Sequence, residues 1–344
     1  MLLGAWTPTA TAGQWGTPSP PPQPTTGPGG SQAFHKAVRS QFLGQGATAY
    51  WLFEPADPVP ESAPLIIFNH GWSAINPRTY GAWIVHLVRR GDIVIYPVYQ
   101  DSARTPMTDF MTNAVTAVRD AVAILQQSGH VHPELEHVAV VGHSMGGAMT
   151  ANFAALASRQ NLPVPRAIMC VEPGDYVIDD PKIFMPREDL SQIPASTLAL
   201  VVVGSDDKFV ADTTAKRIFT GIAQIPAANK DFVILNTDRH GIPPLLATHL
   251  SPVCIDDSIG LPPAPPTTEE TEWRQRLRER FGEHGPAKVG PLNFAMWRLF
   301  DALTDAAFYG RNREFALGDT AQQRDMGKWS DGTSVKELTV TQQP

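Results

Sequence analysis

Residues 137–157 read HVAVVGHSMGGAMTANFAALA. The apolar run His137-Val138-Ala139-Val140-Val141 has the composition of a buried strand, and Gly147 to Ala157 is small and helix-compatible. Between them stands Gly142-His143-Ser144-Met145-Gly146, a G-x-S-x-G pentapeptide. Strand, pentapeptide and helix in that order make a nucleophile elbow, a turn so sharp that the serine projects its Oγ above the sheet edge. Glycines two before and two after the serine keep side chains out of the flanking strand and helix. A Gly/Ser turn can match the pentapeptide alone, so the flanking elements and the downstream partners carry the argument.

Thr197 to Val203 (TLALVVV) is a continuous apolar, β-branched run that enters Gly204-Ser205-Asp206-Asp207-Lys208-Phe209-Val210 and so delivers an acid at a strand's end. The next such run, Asp231 to Leu235 (DFVIL), leads into Asn236-Thr237-Asp238-Arg239-His240-Gly241 and delivers a histidine. A serine hydroxyl is a poor nucleophile at neutral pH and needs a base that titrates near 7, which imidazole does unaided. A carboxylate on the other ring nitrogen fixes the tautomer and stabilises the imidazolium formed during attack. Of the 10 histidines, His240 is expected to be that base. His249 ranks below it, because it lies beyond Pro243-Pro244, farther from the strand end.

Pro64 to Phe68 (PLIIF) is an earlier buried strand, entering Asn69-His70-Gly71-Trp72. With this HG step ahead of GHSMGG and the order Ser144, acid, His240, the chain resembles the α/β-hydrolase superfamily. Within it, the likeness is to the dienelactone-hydrolase-like, chlorophyllase-like and polyester-hydrolase or lipase-like branch, over roughly residues 35 to 310. The resemblance implies a doubly wound, mostly parallel sheet with helices on both faces. It also implies an oxyanion hole formed by the backbone N–H groups of Trp72 and Met145, both expected to border the substrate. His70 is then a loop anchor, with a second base as the alternative. The spacing of the acid from Gly204 and Val210 selects Asp207 over Asp206. Two departures stand out: dienelactone hydrolases carry Cys where this chain has Ser144, and compact polyesterases lack the long stretch between His240 and the last helix.

The remaining elements alternate strand and helix, as a parallel sheet covered on both faces requires. His35 to Leu43 and Thr48 to Phe53 are expected as an antiparallel pair about Gly44-Gln45-Gly46. Asn76-Pro77 opens a helix with Tyr80, Ile84, Leu87 and Val88 as its buried stripe and Gly91 as its stop. Asp92 to Tyr96 is a strand, Met107 to Gln127 an amphipathic helix, Ala167 to Val171 a strand and Asp212 the cap of a helix through Ala223. Glu172 and Asp175 follow a strand toward the same edge as Ser144, either to meet substrate or, preferred here, to cap a loop. Residues 243–290 are expected as an insertion, a lid over the site or a surface feature, with Trp273, Leu277 and Phe281 at four-residue spacing on a helix from Thr267 to Gly282. Leu292 to Phe308 is the last helix, and the chain after Tyr309 is polar and irregular.

Residues 1–33, rich in Pro, Thr, Gly and Ser, are expected as a disordered or extended spacer ahead of a single domain over 34–344. Such spacers favour an extracytoplasmic location, with a cytoplasmic one as the alternative. With 27 basic and 34 acidic side chains, a net charge of -7 and no Lys/Arg run, nothing points to nucleic acid or an anionic membrane surface. No apolar run approaches the ~18 to 20 residues of a bilayer span. Cys170 and Cys254 leave a disulfide open, and no metal-ligand spacing, P-loop or dinucleotide fingerprint occurs. No cofactor is expected, and oligomeric state stays open.

The expected chemistry is acyl transfer to water through an ester on Ser144, acting on a small-molecule or polymeric carboxylic ester with an apolar part. A peptidase or acyltransferase with the same triad is the alternative, and an inactive binding module on the same fold is the alternative from another class. A haloalkane dehalogenase is disfavoured because its elbow carries Asp where this chain has Ser144.

Overall fold

The order of elements follows from the alternation of apolar strands with amphipathic helices. In a computed structural model describing residues 17–102, 104–177, 180–256, 261 and 289–344, the strands are β1 (Ala37–Leu43), β2 (Tyr50–Ala56), β3 (Ser62–Asn69), β4 (Ile93–Pro97), β5 (His132–His143), β6 (Ala167–Val171), β7 (Tyr176–Val177), β8 (Asp180–Phe184), β9 (Leu198–Gly204), β10 (Lys230–Leu235) and β11 (Thr339–Thr341). The helices are α1 (Gly81–Arg90), α2 (Phe110–Leu125), α3 (Met145–Leu156), α4 (Thr213–Gly221), α5 (Pro291–Tyr309) and α6 (Ala321–Arg324). Nine strands form one sheet in the order β1-β2-β4-β3-β5-β6-β9-β10-β11, and β7 and β8 pair separately. The run from β4 to β10 is parallel, while β1 with β2, β2 with β4 and β10 with β11 pair antiparallel at the two sides.

Alternating side chains build a core on each face, because strand residues point to opposite sides in turn. From β3, Ile66 and Phe68 join Trp83, Ile84 and Leu87 of α1 and Trp297, Phe300 and Leu303 of α5. Leu65 and Ile67 point the other way, to Phe110 and Val118 of α2, Met149 and Phe153 of α3 and Ile218 of α4. Helix α3 is buried almost all round. Small residues allow that: a Cβ on Gly146 of the helix would collide with Asn69 O, and one on Gly142 at the end of β5 with Gly146 O.

Two expectations change, and the pairing left open at the two cysteines is decided. Residues 17–33 are not a free spacer: Gly29 N–H donates to the buried Asp301 carboxylate (2.7 Å), Ser19 N–H to Ser330 Oγ (2.9 Å), and Pro18 O accepts from Ile242 N–H (2.9 Å). Proline-rich extended backbone has few internal partners, so its amides and carbonyls bond to the body instead. The chain after Tyr309 is not merely polar surface. It buries Ala316, Leu317, Met326, Trp329, Val335 and Leu338 and ends in β11, paired through Val340 with Val233. Cys170 and Cys254 are both buried and unpaired thiols, each pushed up to about 12 by burial. The expected helix bearing Trp273, Leu277 and Phe281 lies outside the described residues, as does most of 243–290. No helix among the described residues is long and apolar enough to cross a membrane.

Candidate active site

The loops at the C-terminal ends of β3, β5, β6, β9 and β10 converge, as they do in open α/β sheets generally. Ser144 occupies the elbow between β5 and α3 with φ 57° and ψ −122°, a strained position for a residue with a Cβ. Its N–H donates to Val171 O (2.9 Å) and its carbonyl accepts from Gly147 N–H (2.9 Å), so backbone bonds on both sides hold the strained turn.

The imidazole that meets Ser144 belongs to His249. Its Nε2 lies 2.9 Å from Ser144 Oγ, and its Nδ1 lies 2.8 Å from Asp207 Oδ2. This corrects the expectation for His240, whose Nε2 instead pairs with Asp331 Oδ2 at 2.7 Å, where the ring is partly exposed. The cause is the path of the chain after β10. Asp238 and Leu245 bond to each other in both directions (2.8 Å), so residues 239–244 bulge outward with His240, and the strand-end direction is regained only beyond Leu245. Leu245 and Ala247 are buried, and Ala247 O accepts from Asp206 N–H (2.8 Å), which brings His249 over Ser144. The missed signal was that apolar pair, two residues apart beyond the prolines, which reads as a return of the chain to the core.

Asp207 and Asp206 divide their work. Asp207 Oδ1 accepts from Phe209 N–H (2.8 Å) and Val210 N–H (3.2 Å), leaving Oδ2 for His249. Asp206 turns away: its Oδ2 takes Thr237 Oγ1–H (2.9 Å) and Arg239 (3.0 Å), and the Thr237 bond leads in holding its carboxyl below the usual range. The Phe209 ring stacks on His249 at 4.8 Å.

A second set of bonds supports the base from behind. His143 Nε2–H donates to His249 O (2.8 Å), Tyr80 Oη–H donates to His143 Nδ1 (2.8 Å), and Gly71 N–H donates to Tyr80 Oη (3.0 Å). Burial, with His249 alongside, holds His143 well below its ordinary range, so it stays neutral, as this direction of donation requires. His70 is stacked between Tyr96 and Tyr99 (5.2 and 4.1 Å) and held to about 4 by burial, a neutral ring anchoring the loop rather than facing Ser144. Around Trp72 the amides are engaged, Gly71 by Tyr80, Ser73 by Gln100 Oε1 and Ala74 by Gly71 O. Among the described residues no protein acceptor takes the N–H of Trp72 or of Met145.

Asp175 and Glu172 differ from each other. Asp175 is a buried ion-pair centre for Arg187 and Arg217, both at 2.7 Å, with Thr214 Oγ1 at 2.9 Å. Glu172 is fully buried beside the two imidazoles. Among the described residues His143, Glu172 and His249 are a trio with metal-capable atoms within 4.8 Å of one another, but both nitrogens of each ring are already engaged in the hydrogen bonds above.

A mostly parallel sheet flanked by helices, a serine elbow after β5, an acid after β9 and a histidine after β10 together decide the architecture. The chain has the α/β-hydrolase fold. A family profile described as the alpha/beta hydrolase fold matches residues 66–215, from β3 through the start of α4. The comparison with curated proteins returned no match. Within this hydrolase fold, the stretch outside the matched residues contributes His249 and the chain that positions it.

Proposed function

We propose that the protein is a serine hydrolase that cleaves carboxylic esters through an acyl-enzyme on Ser144. The observation that carries this is the unbroken relay from Ser144 Oγ to His249 to Asp207, at 2.9 and 2.8 Å. In the proposed cycle His249 Nε2 takes the Ser144 proton as Oγ attacks the ester carbonyl carbon. Asp207 Oδ2 holds the Nδ1–H and stabilises the imidazolium. The N–H groups of Trp72 and Met145 receive the negative charge that develops on the carbonyl oxygen. Collapse expels the alkoxide, which takes the proton back from Nε2. Water, deprotonated by the same nitrogen, then attacks the acyl carbon and regenerates Ser144 Oγ–H.

Carboxylic esters are favoured over amides only by the surroundings. Trp72 is packed partly against the core and Phe209 stacks on the base, and these two rings are what would receive an apolar acyl or alcohol part. Initial rates on p-nitrophenyl esters, a triglyceride, an aromatic polyester and a peptide anilide test the substrate class. An organophosphonate probe should label the wild type at Ser144. Ser144→Ala should abolish labelling and lower ester hydrolysis by several orders of magnitude, with thermal stability nearly unchanged. Full activity in the alanine variant would end the proposal.

A further inference from the structure

Glu172 follows β6 with φ +44°, and its N–H is tied to Val202 O at 2.7 Å, so the backbone aims its side chain inward at some conformational cost. The carboxyl is wholly buried, and among the described residues neither oxygen has a hydrogen-bond partner. Oε2 lies 3.5 Å from His143 Nε2 and 3.8 Å from His249 Nδ1. A buried polar group without a partner is costly, and an apolar residue would fill the same space more cheaply. We propose that Glu172 is a positioning residue, a reserve acid that takes the His249 Nδ1–H when Asp207 cannot.

The distance is short enough. Nδ1 stands 3.8 Å from Glu172 against 2.8 Å from Asp207, so an approach of about 1 Å between ring and carboxyl closes a hydrogen bond to Glu172. The charges decide when this happens. Glu172 and Asp207 approach the same nitrogen, Nδ1 of His249, and the neutral His143 lies beside Glu172 with the Tyr80 phenol bonded to its far nitrogen. Burial, reinforced by the Asp207 charge, holds the Glu172 carboxyl well above the usual range. Removing Asp207 takes away the like charge, so Glu172 releases its proton to solvent more readily and becomes the acceptor that the imidazolium needs.

This inference rests on the proposed serine chemistry, and the experiment separates the two. The rate of Ser144 labelling by a fluorophosphonate, and kcat/KM on a p-nitrophenyl ester, are measured against pH for the wild type, Asp207→Ala, Glu172→Gln and the double variant, with melting temperatures for each. Asp207→Ala is expected to be labelled roughly tenfold or more faster than the double variant, with an ionisation in its pH profile that the double variant lacks. Glu172→Gln with Asp207 intact should stay within about threefold of wild type. Asp207→Ser, whose hydroxyl can still accept from the Phe209 amide, repeats the comparison should the alanine variant fold poorly. Equal rates and equal pH profiles for the single and double variants would overturn the role of Glu172 alone. A wild type that is not labelled at Ser144 would overturn the hydrolase proposal as well.

Discussion

Two histidines compete for one role, and their surroundings separate them. His249 is buried, stacked on Phe209 and bonded at both ring nitrogens to groups at the site, whereas His240 is half-exposed against Asp331. His249→Ala should therefore lower kcat by about a thousandfold or more, while His240→Ala should stay within about threefold, read from initial rates at saturating ester. The opposite ranking would return the role to His240. Glu172 makes a prediction about stability. Burial, with the Asp207 charge beside it, holds its carboxyl well above the usual carboxylate range, so the folded state keeps a proton that the unfolded state loses. Its contribution is fully present below about pH 4 and is lost as pH rises toward the folded pKa, by at most about 1.4 kcal/mol per unit. Glu172→Gln removes that dependence. The melting temperature of the variant relative to wild type should rise between pH 5 and pH 8, and a flat difference would show that Glu172 is ionised in the fold.

Between β10 and α5, the described part of the chain is held by individual backbone and side-chain bonds rather than by helices or strands. Thr237 Oγ1 is central, donating to Asp206 Oδ2 (2.9 Å) and accepting from the buried Ala247 N–H (3.0 Å). At the far end, Asn293 Nδ2–H of α5 donates to Ser251 O (2.8 Å). Thr237→Val keeps the shape and deletes both Thr237 bonds, leaving the Ala247 amide unsatisfied at a cost of about 1–3 kcal/mol. Because that amide lies two residues from His249, kcat should fall more than KM changes. Urea denaturation and steady-state kinetics check the two halves; lost stability with an unchanged kcat would mean that His249 is positioned without this bond.

Over the whole molecule, the two ends of the described chain meet beside the site. Trp329 is buried and donates from Nε1 to Asp238 Oδ2 (3.1 Å), which also accepts from Lys336 N–H (2.9 Å). Asp238 Oδ1 accepts from His240 N–H (3.0 Å), and Ser19 O accepts from Ser330 N–H (3.0 Å) next to Trp329. The C-terminal segment thus braces the outward bulge at 239–244, and Pro18 O accepts from Ile242 N–H within it. Trp329→Ala should cost about 3–5 kcal/mol of stability through the lost core contact, with a further loss of activity at temperatures well below unfolding. A shift within about 0.5 kcal/mol, measured by chemical denaturation, would show this segment to be peripheral.

Read alone, the sequence determined what depends on local periodicity and spacing. HVAVV followed by GHSMGG places a strand, a serine and a helix in order, the apolar runs at 64–68, 197–203 and 231–235 are strands under any plausible packing, and Gly204 to Val210 carries the acid. It could not determine which of two histidines returns to the serine, because that depends on the Asp238–Leu245 bonds and on a contact made by Trp329, far along the chain. Nor could it reveal that residues 17–33 and the polar-looking tail are docked, since their partners are backbone groups and single buried residues without a repeating pattern. Glu172 is the sharpest case. In sequence it is one more acid after a strand, and only the tertiary structure makes it a fully buried carboxyl 3.8 Å from the base, because a distance between side chains on different strands is not encoded in the spacing along either one.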